Sequence, residues 1–170
     1  GGDSAAVISG DVTVNVQNQY ATTTTVTSSA NPVLVGGSVT FNATVTAAVA
    51  PAGTVTFRYN GADIAGCVNR PLTGGVATCT TTGLAAGTPG TVTAVYSGSA
   101  THLGSTGSLT QWVLDPNGDQ DGDGVPNGVE MRNGSDPLDP NSPEANPTAD
   151  PDGDGVSNAW ESILGYDPNV

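Results

Sequence analysis

The sequence predicts a mainly β protein, an antiparallel β-sandwich preceded by an extra strand and followed by a small region of acidic loops and short helices. Its 24 glycines, 12 prolines and aromatic content of 5% favour short strands joined by turns. Short runs with alternating apolar residues fill the first two thirds of the chain, and acidic side chains crowd into the last third. The chain of 170 residues therefore divides into three segments, 1–20, 21–114 and 115–170.

The first predicted element is a strand within residues 7–20, VISGDVTVNVQNQY. Val12, Val14 and Val16 alternate with polar residues, which is the period-2 pattern of a strand with one buried face. Residues 1–20 are therefore predicted to form an N-terminal extra strand.

Residues 21–114 contain seven strand-like runs separated by glycine and proline turns. In chain order the runs are TTTTVTSS, SVTFNATVTAA, GTVTFRYN, DIAGCVN, GVATCTTT, GTVTAVYS and GSLTQWVL. Seven short strands in about a hundred residues is the number typical of an immunoglobulin-like sandwich. This segment is therefore predicted to be an Ig-like antiparallel β-sandwich.

Several stretches of the same segment carry a family resemblance. The opening run ATTTTVT, together with SSANPV, GTVTFRYNG and TAVYSG, makes residues 21–114 similar to the bacterial Ig-like repeats found in tandem on secreted and surface proteins. The resemblance implies a β-sandwich with an extracellular, non-catalytic role as a spacer, stalk or adhesive module, and it names no ligand. The antibody-type Cys…Trp…Cys spacing is missing, so the inter-sheet disulfide of antibody domains is not expected.

The two cysteines, Cys67 and Cys79, flank CVNRPLTGGVATC, which is predicted as two strands joined by a turn at residues 72–75. Opposed positions on neighbouring strands meet disulfide geometry. Closing a loop of this size adds roughly 3 kcal/mol in the chain-entropy model. The sequence predicts a disulfide between them, and two buried free thiols are the alternative.

The strand in residues 7–20 has no assigned partner. In tandem arrays of the bacterial Ig-like family, a strand such as DVTVNVQ closes one domain, and residues 107–114 already supply that closing strand here. Residues 7–20 thus look like the last strand of a preceding domain. An unpaired strand exposes backbone donors and acceptors, and three outcomes stay open: pairing in cis as an edge strand, addition to another subunit in a head-to-tail fibre, or a remnant of truncation.

The charge of the chain is uneven. Three of its 16 acidic residues precede residue 115, the other 13 lie in residues 115–170, and Arg132 is the only basic residue in that last segment. Such a segment repels nucleic acid and anionic membranes and attracts cations. No run of 18 apolar residues occurs, so no membrane insertion is predicted.

Most of these carboxylates fall in two twelve-residue boxes, DQDGDGVPNGVE and DPDGDGVSNAWE. Both match the D-x-[DN]-x-[DN]-G-x₅-E pattern of a calcium loop, in which positions 1, 3, 5, 7, 9 and 12 present oxygen ligands and glycine at position 6 permits a sharp turn. The predicted ligands are Asp119, Asp121, Asp123, the Val125 carbonyl, Asn127 and Glu130 in the first box, and Asp150, Asp152, Asp154, the Val156 carbonyl, Asn158 and Glu161 in the second. The sequence predicts two or more Ca²⁺ ions, with a merely solvated acidic linker as the alternative.

Each box leads into a short predicted helix. PNGVEMRNG predicts two helical turns from Pro126 to residues 133–134, and SNAWESILG predicts a helix over residues 157–164. Prolines before each box forbid an incoming helix. These half units resemble thrombospondin type 3 and dockerin-like calcium repeats, which implies ions that stiffen an extracellular rod rather than a sensor that opens.

Residues around the boxes leave alternatives open. The connector NGSDPLDPNSPEANPTA is expected to run extended. Carboxylates and amides beside the boxes either add ligands or are exposed linker residues; these are Asp115, Asn117, Asp136 and Asp139. Apolar residues near the second helix are expected to pack over the calcium layer, with docking onto another chain as the alternative; these are Trp160, Ile163, Leu164 and Tyr166.

The sequence offers no catalytic constellation. It has no lysine, its one histidine, His102, is expected in a solvated surface loop, and its clustered carboxylates are assigned to calcium. The leading hypothesis is a secreted, non-enzymatic structural protein, a calcium-stabilised subunit of a cell-surface filament or stalk whose partner is another copy of itself. The alternatives are an adhesin for glycan or a host-surface protein, and a spacer of a larger secreted protein or enzyme. Asn42 and Asn133 lie in glycosylation acceptor motifs whose use depends on the host.

Overall fold

The computed structural model of the protein describes residues 19–142, Val156, Glu161 and residues 164–166, with Thr88 described by its backbone alone. Within this part the fold is mainly β, as predicted, with two sheets in a sandwich and one short helix near the C-terminus. Most of the predicted N-terminal strand and most of the second acidic box lie outside the described residues.

Nine strands and one helix are formed by the described residues. They are β1 (Thr23–Ser28), β2 (Val33–Leu34), β3 (Val39–Thr46), β4 (Thr54–Tyr59), β5 (Ala62–Asp63), β6 (Arg70–Pro71), β7 (Val76–Thr81), β8 (Gly87–Tyr96), β9 (Ser105–Leu114) and α1 (Asn127–Asn133). Six of the seven predicted runs are strands. DIAGCVN is an exception after Asp63, because Gly66 turns the chain with φ 76° and the Cys67 N–H donates back to the Ile64 carbonyl.

The strands form two sheets. The smaller has the order β1-β3-β7, and the larger has the order β2-β9-β8-β4-β5 with β6 beside β4. The pairs between named strands are antiparallel except for β2, which runs parallel to β9 through Val33 and Leu34. The sequence did not predict β2 or β6, because a strand of two residues next to a proline is too short to show alternation.

The core lies between the two sheets and is built from alternate side chains. On β3 every second residue from Val39 to Val45 is buried, as the strand period requires. Phe41 on β3, Phe57 on β4 and Tyr96 on β8 are the large aromatic residues that are fully buried in this core. The two sheets come close at Gly107 on β9, where a Cβ would overlap the Thr24 carbonyl oxygen, so that position requires glycine.

The predicted Cys67–Cys79 disulfide is present, with Cα atoms 5.3 Å apart. Its path differs from the expected one between neighbouring strands. Cys79 lies on β7 in the smaller sheet, whereas the Cys67 carbonyl accepts the Phe57 N–H of β4 in the larger sheet. The disulfide therefore ties the two sheets together. The first strand of the predicted hairpin is β6, and it pairs with β4 in the larger sheet rather than with β7.

His102 is buried, with 2% of its surface exposed, so the prediction of a solvated loop residue is wrong. Its Nε2 donates to the Val49 carbonyl oxygen at 3.0 Å, and its Nδ1 shares a hydrogen bond with Thr101 Oγ1 at 2.9 Å. The Tyr20 ring lies beside it, with ring centroids 5.6 Å apart. Burial is tolerated because both ring nitrogens have partners inside the protein.

The chain joins the sandwich at one end and leaves it at the other. Tyr20 is held by the loop between β8 and β9, since its N–H donates to Thr101 and its carbonyl accepts from Leu103. From that end β9 runs to Leu114, whose carbonyl accepts the Val35 N–H. Ten extended residues span about 30 Å. The N-terminal segment and the acidic region are therefore attached to opposite ends of the sandwich.

Candidate metal site in the first acidic loop

The first acidic box forms a loop that leads into α1, with the boundaries that the sequence predicts. Pro126 is the N-cap residue, and its carbonyl accepts the Val129 N–H at 2.8 Å. Gly134 is the C-cap, with φ 84° and an N–H that donates to the Glu130 carbonyl. Gly124, at position 6 of the box, has φ 96°, a left-handed conformation that a Cβ would strain.

Three aspartates shape the loop through their own carboxylates. Asp119 accepts the N–H groups of Gly122 at 2.8 Å and Gly124 at 3.0 Å, and Asp121 accepts the Asp123 N–H at 3.2 Å. These bonds fix each carboxylate relative to the backbone. Carboxylate oxygens of Asp119, Asp121 and Asp123 lie within 4.8 Å of one another. The structure thus brings together the first three predicted ligands.

Glu130 supplies a fourth carboxylate and is completely buried. Neither of its carboxylate oxygens has a hydrogen-bond partner among the described residues, and the same holds for the Oδ2 atoms of Asp121 and Asp123. Burial raises the pKa of Glu130 to about 7, and repulsion from Asp121, Asp123, Asp119 and Asp136 acts in the same direction. A buried carboxylate without a partner is costly, so this cluster is stable only with protons or with a cation.

The cluster fits a calcium ion by its donor chemistry. Ca²⁺ binds six to eight oxygen atoms in flexible geometry, and every side chain in this cluster offers carboxylate oxygens. Burial also raises the pKa of Asp121, and the charges of Asp123 and Asp119 add to that rise. A bound divalent ion would neutralise this repulsion and give the buried oxygens their missing partner.

Two family models match the chain, one over the β-sandwich and one over the acidic region. Residues 26–113 match the model of the bacterial Ig-like domain (group 3).

The chain belongs to the bacterial Ig-like domain (group 3) family.

Residues 119–140 and 150–170 match the bacterial TSP3 repeat, in the order that the sequence predicts. TSP3 repeats bind calcium, and both families are typically non-catalytic and suggest an extracellular or surface protein. No match was found among curated proteins or solved structures. In the part of the chain that the structure describes, no helix combines the length and apolar character needed to cross a bilayer.

Two predicted ligands of the first TSP3 repeat also have structural tasks. The Val125 side chain packs with Val129 in a small core, so only its backbone carbonyl is the predicted ligand atom. Asn127 donates through Nδ2 to the Asp115 carbonyl at 2.8 Å and accepts the Gln120 N–H through Oδ1 at 3.0 Å. Sequence reasoning missed this tie, although Asn at a helix start commonly binds nearby backbone groups. The ligand roles of both residues stay predictions.

The second TSP3 repeat is described at only a few residues. Glu161 is helical and buried, with 1% exposed, and its carbonyl accepts the Tyr166 N–H at 2.8 Å. Val156 is half-buried. The other four predicted ligands lie outside the described residues and stay predictions: Asp150, Asp152, Asp154 and Asn158.

The apolar residues after the second box differ from the expectation where they are described. Leu164 is 57% exposed and Tyr166 is 64% exposed, so the prediction that they pack over the calcium layer is wrong for these two residues. Trp160 and Ile163 lie outside the described residues. Gly165 has φ 80°, the left-handed conformation of a helix stop.

Proposed function

We propose that the chain is a calcium-stabilised structural module of a secreted or cell-surface protein, in which the Ig-like sandwich and the TSP3 repeats are successive parts of a rigid stalk. The observation that carries this proposal is the burial of Glu130 beside Asp119, Asp121 and Asp123, with no hydrogen-bond partner for its carboxylate among the described residues. A site built this way stabilises the fold only when a cation is bound.

The path of the chain supports a spacer role. The N-terminal segment is attached at the Tyr20 end of the sandwich, and the first TSP3 repeat is attached at the Leu114 end. A domain whose two connections lie at opposite ends adds its own length, about 30 Å along β9, to a stalk.

The junction between sandwich and repeat supports stiffness. Leu114, the last residue of β9, is buried, with 2% exposed. Pro32 of the sandwich lines a common pocket with Met131 and Ser135 of the repeat. The Gly128 N–H of α1 donates to the Pro116 carbonyl at 2.9 Å, which ties the helix to the chain that leaves β9. The start of α1 is thus tied to the chain that leaves the sandwich.

The proposal assigns one ion to each box. In the first repeat the carboxylates of Asp119, Asp121, Asp123 and Glu130 hold the ion together with the Val125 carbonyl. The second repeat uses its matching positions, and the buried Glu161 supports this assignment. Calcium supplies charge neutralisation at both places, and the carboxylates position and enclose it.

Calcium titration calorimetry and small-angle scattering of the full chain test this proposal. We expect two or more bound ions. In calcium the distribution of interatomic distances should be narrow, with one maximum dimension, and a chelator should broaden that distribution. The variant Asp121→Asn should lose one ion. The control Asp63→Asn makes the same substitution at a sandwich residue and should lose none. A chain that binds no calcium at millimolar concentration would refute the proposal.

A second candidate function is head-to-tail assembly into a filament through the strand predicted in residues 7–20. The opposite placement of Tyr20 and Leu114 favours it, because a segment at one end of a subunit then meets the far end of the next. The sequence predicts that Val12, Val14 and Val16 share one face of this strand, and strand addition would bury that face on a neighbour.

Electron microscopy of the full chain and of a chain that lacks residues 1–18 tests assembly. The deletion stops before Gln19 because Gln19 Nε2 donates to the Ser99 carbonyl of the sandwich at 2.8 Å. We expect filaments only with residues 1–18 present, and their loss in Val14→Asp but not in the control Thr13→Asp. A chain that stays monomeric at all concentrations and binds glycans or a host protein would favour the adhesin alternative instead.

A further inference from the structure

The edge strands of the two sheets are covered in different ways. On the larger sheet, β9 is covered by β2 and by Asn31, whose side chain donates to the Thr110 carbonyl at 2.7 Å and accepts the Trp112 N–H at 2.8 Å. On the smaller sheet, β1 lies against β9 at Gly107, whereas β7 has no strand on its outer side among the described residues. An uncovered edge offers unpaired backbone groups to other chains. The outer side of β7 is therefore the edge of this sandwich that needs another form of cover.

The strand β7 directs the backbone groups of alternate residues away from its partner β3. The Val45 N–H of β3 donates to the Gly75 carbonyl, and the alternation of an antiparallel pair then turns the groups of Val76, Thr78 and Thr80 outward. The run VATCTT of β7 is mostly β-branched and contains no charge, proline or glycine. Runs of this length and composition pair readily with copies of themselves. The sequence of β7 thus provides no protection of its own edge.

The chain from residue 67 to residue 75, here called the crossover strap, leads from the larger sheet to β7 and is attached to β7 near both of its ends. At its start, Cys67 forms the disulfide with Cys79. Near its end, the Thr73 N–H donates to the Val76 carbonyl at 2.8 Å, and the Val76 N–H donates back to the Thr73 carbonyl at 3.1 Å. The strap therefore satisfies the first outward residue of β7 by backbone pairing.

Arg70 covers the middle of this edge with its side chain. It belongs to β6, which pairs with β4 in the larger sheet, but its Nε donates to the outward carbonyl of Thr78 at 3.0 Å. A hydrogen bond from a charged donor is stronger than one between neutral groups. The guanidinium also places a positive charge beside β7, and two copies that paired there would bring like charges together. Arg70 therefore opposes pairing at Thr78 in two ways.

We propose that the outer side of β7 is a self-association edge that Arg70 keeps covered, and that the partner of the uncovered edge is β7 of a second copy of the chain. Two such strands would run antiparallel about a two-fold axis, so that the outward groups of Thr78 and Thr80 in one copy pair with those of the other. The inference goes beyond the proposed function, because it requires neither calcium nor the strand predicted in residues 7–20.

Sedimentation velocity of full-length Arg70→Ala in calcium tests the inference, with Arg58→Ala as matched control. Both variants remove one exposed arginine, but Arg58 is paired with Asp63 of the larger sheet. We expect Arg70→Ala to self-associate at least roughly tenfold more tightly than the unchanged protein, and Arg58→Ala to behave as the unchanged protein does. Equal self-association of the two variants would overturn the inference.

The double variant Arg70→Ala with Thr78→Pro tests whether β7 forms the contact. Because the Thr78 N–H points away from β3, proline removes an outward donor without breaking a hydrogen bond of the sheet. We expect self-association to return to that of the unchanged protein. Hydrogen exchange gives a second readout, since the Thr80 amide of Arg70→Ala should exchange more slowly at high than at low protein concentration. Association that persists in the double variant, or exchange at Thr80 that is independent of concentration, would contradict a contact through β7.

Removal of residues 1–18 from Arg70→Ala distinguishes two partners for the edge. Self-association should persist, because the partner is β7 of a second copy. Its loss would show that residues 1–18 pair with the edge and would overturn the contact between two β7 strands. Calcium titration of the unchanged protein is independent of these results, so failure of this inference and failure of the proposed function are observed separately.

Discussion

The sandwich and the first TSP3 repeat bury their interiors in opposite ways. The sandwich buries a continuous apolar core with Phe41, Phe57 and Tyr96 among its members, closed by a disulfide between the sheets. The repeat has an apolar cluster of only Val125 and Val129, and its largest fully buried side chain is that of Glu130. Apolar burial stabilises the sandwich directly, whereas two valines contribute little to the repeat.

The buried polar groups show the same contrast. Gln111 on β9 is completely buried, and its Nε2 donates to the Ala30 carbonyl at 2.9 Å while its Oε1 accepts from Ser28 Oγ at 2.7 Å. Glu130 is equally buried, but its carboxylate has no such partner in the described part of the chain. The sandwich therefore satisfies this buried polar side chain with its own groups, whereas the repeat leaves a buried carboxylate that a cation could neutralise.

Chelation should separate the two regions, and this is the largest effect that we expect. Removal of calcium leaves the clustered carboxylates of the repeat without a counter-charge, so residues 115–142 should lose their hydrogen-exchange protection. The sandwich, including buried β3, should keep its protection. Hydrogen exchange with and without a chelator measures both in one sample. Loss of protection in β3, or its retention after residue 115, would break the comparison.

The disulfide should matter only on the sandwich side. Replacement of Cys67 and Cys79 by serine removes the tie between the sheets and should lower the free energy of unfolding of the sandwich by roughly 3 kcal/mol. Calcium affinity of the first repeat should be unchanged at temperatures where the sandwich remains folded. Thermal unfolding and calcium titration of the same variant measure these two quantities. A fall in calcium affinity would show that the regions are coupled.

Local patterns explain why most of the fold could be predicted. The alternation in β3 and the left-handed glycines at Gly124 and Gly134 are properties of a few consecutive residues, and each has its expected conformation. The path of the disulfide could not be predicted, because it depends on the pairing of β6 with β4 rather than β7. That pairing depends on the packing of the whole sandwich, and the two residues of β6 contain no sequence pattern that predicts it.

In the candidate site, too, features set by neighbouring residues could be predicted and features set by distant contacts could not. Asp119, Asp121 and Asp123 are close together because their spacing within one short loop enforces it. The hydrogen bond from Asn127 to the Asp115 carbonyl, which lies before the loop, depends on how the chain folds back from Asp115. The burial of His102 likewise depends on Val49, which is far away in sequence. Contacts of this kind are invisible in the residues themselves.

The pH dependence of calcium binding sharpens the contrast. Glu130 has a pKa raised to about 7 from 4.5, so below pH 7 calcium must displace a proton from its carboxyl group. Between pH 8 and pH 6 the affinity of the first repeat should fall by about tenfold. The control Glu130→Gln should bind calcium more weakly and lose this pH dependence. A pH-independent affinity in the unchanged protein would show that Glu130 is already ionised without calcium.

Without calcium, the stability of the first repeat should depend on pH in the opposite direction and rise on acidification. Its folded form holds a proton on Glu130 between about pH 4.5 and 7 that the unfolded chain has released. The contribution of this group to stability is therefore fully present below pH 4.5 and is lost as the pH rises through 7. In a chelator, the repeat should gain hydrogen-exchange protection on acidification through this window, while the sandwich should not respond.

The smallest expected effect concerns the ion pair of the sandwich. Arg58 Nε lies 2.7 Å from Asp63 Oδ1, but the side chains are 43% and 49% exposed. Because water screens such a pair, Asp63→Asn should cost less than about 1 kcal/mol in the free energy of unfolding of the sandwich, and less still in high salt. Urea unfolding at low and high salt measures it. A loss of several kcal/mol would mean that charge, and not only apolar burial, holds the sandwich, and the two regions would then differ in degree rather than in kind.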